Sequence, residues 1–126
     1  MTLPPSQPPA TQPMINAALI TTLALQALGG VGVVTRDPSP THPGVDVSCV
    51  AGAPVYATQN GALYTSWSHT HGLTAIIHQP AGPIHSFSHL QSSTRNRYVQ
   101  KGERIGSCGS TGSYSTGPHL HFEILP

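Results

Sequence analysis

Hydrophobic and polar positions along the chain fall into three textures. Residues 1–13 (MTLPPSQPPATQP) form an uncharged, Pro-rich lead with no apolar period, which reads as an extended arm or linker. Residues 14–28 (MINAALITTLALQAL) are rich in Ala and Leu and run into Gly29 and Gly30, so a helix closed by a glycine stop is predicted over residues 14–30. From Val45 onward, short β-branched and aromatic runs alternate with turn clusters. The runs are Val45–Ser48, Val55–Ala57, Ala62–Ser66, Leu73–His78, Ile84–Ser88, Arg104–Ser107 and His119–Leu125. Asn60-Gly61, Pro80-Ala81-Gly82 and Ser115-Thr116-Gly117-Pro118 supply breaks. Strands this short, roughly ten residues apart and with no helical period between them, predict an all-β domain over residues 31–126. Its expected architecture is an antiparallel sheet or sandwich, preceded by the short N-terminal helix.

The uncharged stretch from Met14 to Val34 approaches the ~20 residues of a membrane span. Asn16, Thr21, Thr22, Gln26 and several glycines dilute it, and no Lys or Arg precedes it as the n-region of a secretory signal would require. The expectation is therefore a helix packed on the domain or on a partner, rather than an anchor.

Composition narrows the chemistry. The 126 residues carry only five Lys and Arg and four Asp and Glu, for a net charge of +1. That balance offers no electrostatic footprint for nucleic acid or an acidic membrane. With so few acids, none near another in sequence, a glycosidase carboxylate pair is disfavoured. Eight histidines outnumber the acids and the bases alike, which raises the expectation of a metal or proton-transfer site. Cys49 and Cys108 have no CxxC spacing; they could pair, or lie as small buried hydrophobes, and the pattern leans slightly to the second.

Three segments carry the chemistry: His42-Pro-Gly-Val-Asp46, Phe87-Ser88-His89-Leu90, and Gly117-Pro-His119-Leu-His121-Phe-Glu123. On a strand, His119 and His121 emerge on one face while Leu120 and Phe122 point to the other. Two adjacent imidazoles repel when charged, so their coexistence suggests a cation beside them. His42 and Asp46 flank a Pro-Gly bend that can bring an imidazole and a carboxylate to one point. Two histidines and one carboxylate meet the count of a catalytic zinc site that keeps its fourth position for water. A metal also explains Asp46, an acid set among Gly44, Val45 and Val47.

From His42 to the C-terminus the chain resembles the lysostaphin-type (LytM-like) zinc endopeptidases that cut peptidoglycan. The matching text is HPGVD, GAPVYA with NGAL, AIIHQPAG through SFSHL, then VQKGERIGSCGSTG and STGPHLHFEI. The resemblance implies His42, Asp46 and His121 as ligands to one Zn²⁺ per chain. It further implies His119 and His89 as the catalytic pair, and a peptidoglycan peptide as substrate. Spacing alone does not choose between His119 and His121; the resemblance does. It also implies a location outside the cytoplasm, while the N-terminal arm and the low charge would suit a virion-associated one.

The remaining histidines have plainer readings. His78 is expected at a strand end, His69 and His71 in a solvated turn that could line a groove, and His85 facing solvent. The run Gly106–Gly112 reads as a tight hairpin turn before the last strand, since no Lys-Ser/Thr pair follows it to bind phosphate. Two other functions compete with an active endopeptidase. One is an assembly or phage-tail component using the domain mainly as a scaffold, with the N-terminal arm and helix as a protein-binding element. The other is a non-catalytic regulator, which the complete five-residue set disfavours.

Overall fold

The computed structural model describes residues 17–126, in which one helix precedes nine strands. The helix α1 is Ala17–Ala27. The strands are β1 (Val34–Arg36), β2 (Val45–Ser48), β3 (Pro54–Tyr56), β4 (Gly61–Ser68), β5 (Gly72–His78), β6 (Ile84–Ser93), β7 (Arg97–Val99), β8 (Arg104–Cys108) and β9 (His119–Leu125). All nine belong to one antiparallel sheet ordered β1-β2-β9-β6-β5-β4-β7, with β8 joined to β6 and β3 joined to β8. Of the two expected architectures, the single open sheet is the one formed. β6 serves two partners in succession, Ile84–Ser88 pairing with β9 and Leu90–Ser93 with β8.

The period of two divides the sheet into a core face and a polar face. Val45 and Val47 of β2, Leu120 and Phe122 of β9, Phe87 of β6 and Ile77 of β5 are fully buried on the first. Phe87 and Phe122 meet edge to face with ring centroids 5.1 Å apart, a geometry worth about 1 kcal/mol beyond the area it buries. The helix α1 packs on β2, β3 and β9 with Ile20, Leu23, Ala24 and Ala27 buried. Of the two expected placements, the helix packs its apolar face on this chain's own sheet. No helix among the described residues is long and apolar enough to cross a membrane. Gly29 and Gly30 end the helix at φ 69° and 81°, and the Gly30 N–H returns to the Leu25 carbonyl at 2.8 Å. The expected arm at residues 1–13 lies outside the described residues, as do residues 14–16 of the expected helix.

Several expectations change in the folded chain. Cys49 and Cys108 are joined by a disulfide, with Cα atoms 6.5 Å apart across a separation of 59 residues. The reason is tertiary. Main-chain bonds from Gly52 N–H to Cys108 O (2.8 Å) and from Cys108 N–H to Ala53 O (2.7 Å) clamp the exit of β2 against the end of β8. His85 does not face solvent: it lies two residues before Phe87, on the same buried face, and is only 4% exposed. Its Nδ1 is 2.6 Å from Thr58 Oγ1, and burial, with a smaller effect of the Lys101 charge, pushes its pKa down to about 4. The run after Gly106 is not a hairpin turn. β8 and β9 do not pair with each other but with successive halves of β6, and residues 109–118 form a connecting loop between them. β1 and β7, three-residue strands at the sheet's two ends, were not among the expected runs.

Candidate active site

The polar face of β2 and β9 carries the candidate residues in register. Asp46 stands opposite His121, His121 opposite Ser88 of β6, and Ser48 opposite His119. Cross-strand partners share a face, so the alternation that buries Val45, Val47, Leu120 and Phe122 raises Asp46, His119 and His121 on the other side. Glu123, two residues after His121, joins the same row.

His42 reaches the row from the turn before β2. Reciprocal main-chain bonds with Ser39 (2.9 and 3.1 Å) hold the turn closed. Gly44, at φ 97°, lets the chain pass over β9, where a Cβ would sit 2.5 Å from the Phe122 carbonyl and 2.6 Å from Glu123 Cγ. The Pro-Gly pair thus lets His42 fold back over Asp46. His42 Nε2 lies 3.2 Å from Asp46 Oδ2, and His121 Nδ1 lies 2.7 Å from Asp46 Oδ1. Ligating atoms of His42, Asp46 and His121 all fall within 4.8 Å of one another.

His89 arrives by a different device. Along a regular strand it would share the core face with His85 and Phe87. Between Phe87 and Leu90, however, β6 holds three steps against two on β5, where Ala75 and Leu73 are their partners. This bulge holds His89 at φ 63°, the only positive φ outside glycine among the described residues. The extra step turns His89 away from the core and returns Leu90 to it. The His89 N–H donates to the His71 carbonyl (2.9 Å), and Nδ1 lies 2.7 Å from the Thr111 carbonyl. A carbonyl only accepts, so Nδ1 carries the proton and Nε2 the lone pair. His119 is fixed alike, with Nδ1 2.9 Å from the Gly117 carbonyl and Nε2 3.8 Å from Asp46 Oδ1. The His89 and His119 rings are 4.6 Å apart.

The electrostatics follow from burial and neighbours. Burial opposes ionisation of Asp46, but the His121 hydrogen bond and the histidines around it outweigh that and hold its carboxyl below its usual range. Burial opposes a proton on His121 as well, yet Asp46 and Glu123, bonded to its two nitrogens at 2.7 Å each, raise its pKa to about 9. His89 is pushed down, mainly by burial, against the pull of the Thr111 carbonyl and assisted by nearby histidines. The two carboxylates thus favour positive charge at His121 against the burial that opposes it.

The five predicted residues all line one cleft of about 490 Å³. Arg36, His71, Tyr114 and Glu123 line it too, and of these only His71 was given a place at a groove from sequence. Glu123 was legible as the next residue of the His119–His121 row. His71 was expected in a turn that could line a groove, and it does line the cleft. It stacks on His89 with centroids 5.9 Å apart because the Ser68–Gly72 turn bonds to the Thr111 loop, a contact no local pattern reveals. His69 is exposed in that turn and His78 is exposed at the end of β5.

Residues 40–126 match the sequence profile of Peptidase family M23. Among curated relatives, the peptidoglycan DD-endopeptidase ShyB of Vibrio cholerae is 34% identical over 67% of this chain and 20% of its own length. Lysostaphin of Staphylococcus staphylolyticus is 38% identical over 67% of this chain and 18% of its own. This chain therefore spans about a fifth of the curated relatives it matches. Among solved structures, the catalytic domain of lysostaphin from Staphylococcus simulans superposes with a TM-score of 0.60 at 35% identity, covering 68% of each chain. A zinc-containing peptidase from Vibrio cholerae gives 0.65 at 29% identity, covering 74% of this chain and 33% of that one.

Proposed function

The chain belongs to peptidase family M23, and from that premise we propose that it is a zinc-dependent endopeptidase cutting the peptide cross-links or bridges of peptidoglycan. In this reading His42, Asp46 and His121 hold one Zn²⁺ and His89 and His119 are the catalytic pair. The observation that carries it is the convergence of the three ligating groups within 4.8 Å, beside two histidines whose tautomers are set by main-chain carbonyls.

The donor set suits zinc. Two imidazole nitrogens and one carboxylate oxygen are the ligands of an open catalytic site, and Glu123 holds the far nitrogen of His121 as an outer-shell partner should. Asp46 and Glu123, one at each nitrogen of His121, make this a place that favours positive charge. Bound there, zinc supplies Lewis-acid polarisation of the scissile carbonyl and makes water nucleophilic near neutral pH.

The chain's own residues supply the rest. His89 keeps Nε2 unprotonated, because Nδ1–H is committed to Thr111 and burial disfavours a second proton. It is thus prepared to accept a proton from the attacking water. His119 presents Nε2 toward the ligand cluster from the same strand that carries His121. Once protonated it can stabilise the developing oxyanion or return a proton to the leaving amine.

Peptidoglycan lies outside the cytoplasm, and a disulfide between Cys49 and Cys108 suits an oxidising compartment. Mass spectrometry of purified peptidoglycan digested by the zinc-loaded protein tests the reading, with His119→Ala as the control. New amine and carboxyl termini at one type of peptide bond, absent with the variant, are expected. An unchanged fragment pattern on walls of every cross-link chemistry would sink it.

A further inference from the structure

Arg36 stands directly opposite Asp46 on the neighbouring strand, so its side chain rises on the active-site face. It makes no ion pair with Asp46, whose carboxylate is taken up by His42, His119 and His121. Nor does any hydrogen bond or ion pair among the described residues engage its guanidinium. The side chain instead lines the active-site cleft and a second hollow of about 480 Å³ that continues it, between β1 and the Thr116–Pro118 stretch of the loop before β9. Besides Arg36 and Asp46, the hollow is bordered by Thr35, Ser48, Tyr114, Thr116 and His119, with no second acid. The other basic side chains lie on β7, β8 and the turns beside them, where Arg97 is paired with Glu103 at 2.6 Å.

An exposed guanidinium normally stays solvated or pairs with a nearby acid. Here the strand register sets it beside the ligand cluster, with an open hollow in front of it. Its planar donor fork matches a carboxylate in a way that no other group in the cleft can. We infer that Arg36 is a specificity-determining residue, binding a free carboxylate of the substrate peptide next to the bond that is cut. The inference rests on the endopeptidase reading above and names the substrate class more closely: peptides with an unamidated carboxylate within a residue or two of the scissile bond. That group has two sources, a branch carboxylate of an acidic residue in the peptide or the carboxylate at a peptide C-terminus.

The test uses a cross-linked muropeptide dimer in three forms: all carboxylates free, branch carboxylates amidated, or the C-terminal carboxylate amidated. For the zinc-loaded wild type, kcat/KM is expected to favour the free form over one of the amidated forms by about 10- to 100-fold, the worth of a charge-assisted hydrogen-bond pair. The form that suffers identifies the source. In Arg36→Gln that ratio should fall close to one, mainly through KM, and Arg36→Lys should lie between, having charge without the fork. A wild-type ratio near one, or a ratio unchanged in Arg36→Gln, overturns the inference. So does an equal loss on all three forms, which would place Arg36 at the oxyanion instead. If the wild type cut none of them, the endopeptidase reading would fall, and NMR titration with acetyl-D-alanyl-D-alanine and its C-terminal amide, and with acetyl-D-isoglutamic acid and its amide, would decide Arg36 separately. Carboxylate preference lost in Arg36→Gln upholds the residue's role there; equal affinity for acid and amide overturns it.

Discussion

The imidazole of His89 donates from Nδ1 to the main-chain carbonyl of Thr111, 2.7 Å away and 22 residues along the chain. A backbone carbonyl cannot change its role, so the bond sets the tautomer without adding a titratable partner. The left-handed bulge at φ 63° is what swings His89 toward that carbonyl. Two effects should therefore separate on mutation. His89→Ala should lower kcat by about 10²- to 10⁴-fold, the range for loss of a general base, while bound zinc stays at one per chain. His89→Gly should be as inactive yet more stable than His89→Ala by about 1 kcal/mol, because glycine adopts positive φ freely. Kinetics with metal analysis check the first, and urea unfolding of the two variants checks the second.

In the proposed reading the metal takes His121 rather than His119, a choice made by the family resemblance and supported by position. His121 touches Asp46 at 2.7 Å, whereas His119 stays 3.8 Å away with its Nδ1 committed to Gly117. Elemental analysis after dialysis should find about one zinc in the parent and in His119→Ala, and far less in His121→Ala and Asp46→Asn. All three variants should be inactive, so metal content rather than activity distinguishes the roles. A chelator should abolish the parent's activity, and added Zn²⁺ should restore it.

The Cys49–Cys108 disulfide closes a loop of 59 residues that contains β3 to β8. Chain-entropy arguments give such a closure about 4 kcal/mol, a large share of what a domain of this size has in total. Replacing both cysteines with alanine should lower the unfolding free energy by about 2–4 kcal/mol in denaturant titration. Adding a thiol reductant to the parent should produce a loss of similar size and leave the double variant unchanged.

His85 predicts an acid limb. An unfolded histidine titrates near 6.5, whereas burial holds His85 at about 4 in the fold. Between those values the unfolded chain binds a proton that the folded chain refuses. Stability therefore falls as pH drops from about 6.5 to 4 and is insensitive to this group on either side. The full loss is at most about 3 kcal/mol. His85→Gln keeps a polar partner for Thr58 and should lack this component. The difference between the two stability–pH curves in that window measures it, and parallel curves would show that His85 is not the group responsible.

Much was determined by the order of residues alone. Short runs of alternating polarity placed β2 and β9 at their observed bounds, because a period of two survives in any half-buried strand. The same period raised His119 and His121 on one face, and the glycines after Ala27 stopped the helix where they stand. What the tertiary structure decided has a common cause: pairing between residues far apart in the chain. β1 and β7 are three residues long and exist because longer neighbours offer them an edge. The second half of β6 is polar and took its strand form from β8. His85 was turned inward by its phase with Phe87, and His89 was turned outward by a bulge that only the β5 partner defines. Cys49 met Cys108, and His71 met His89, through loops that no local pattern joins. Local periodicity says which face a side chain takes, and only the register between strands says what it meets there.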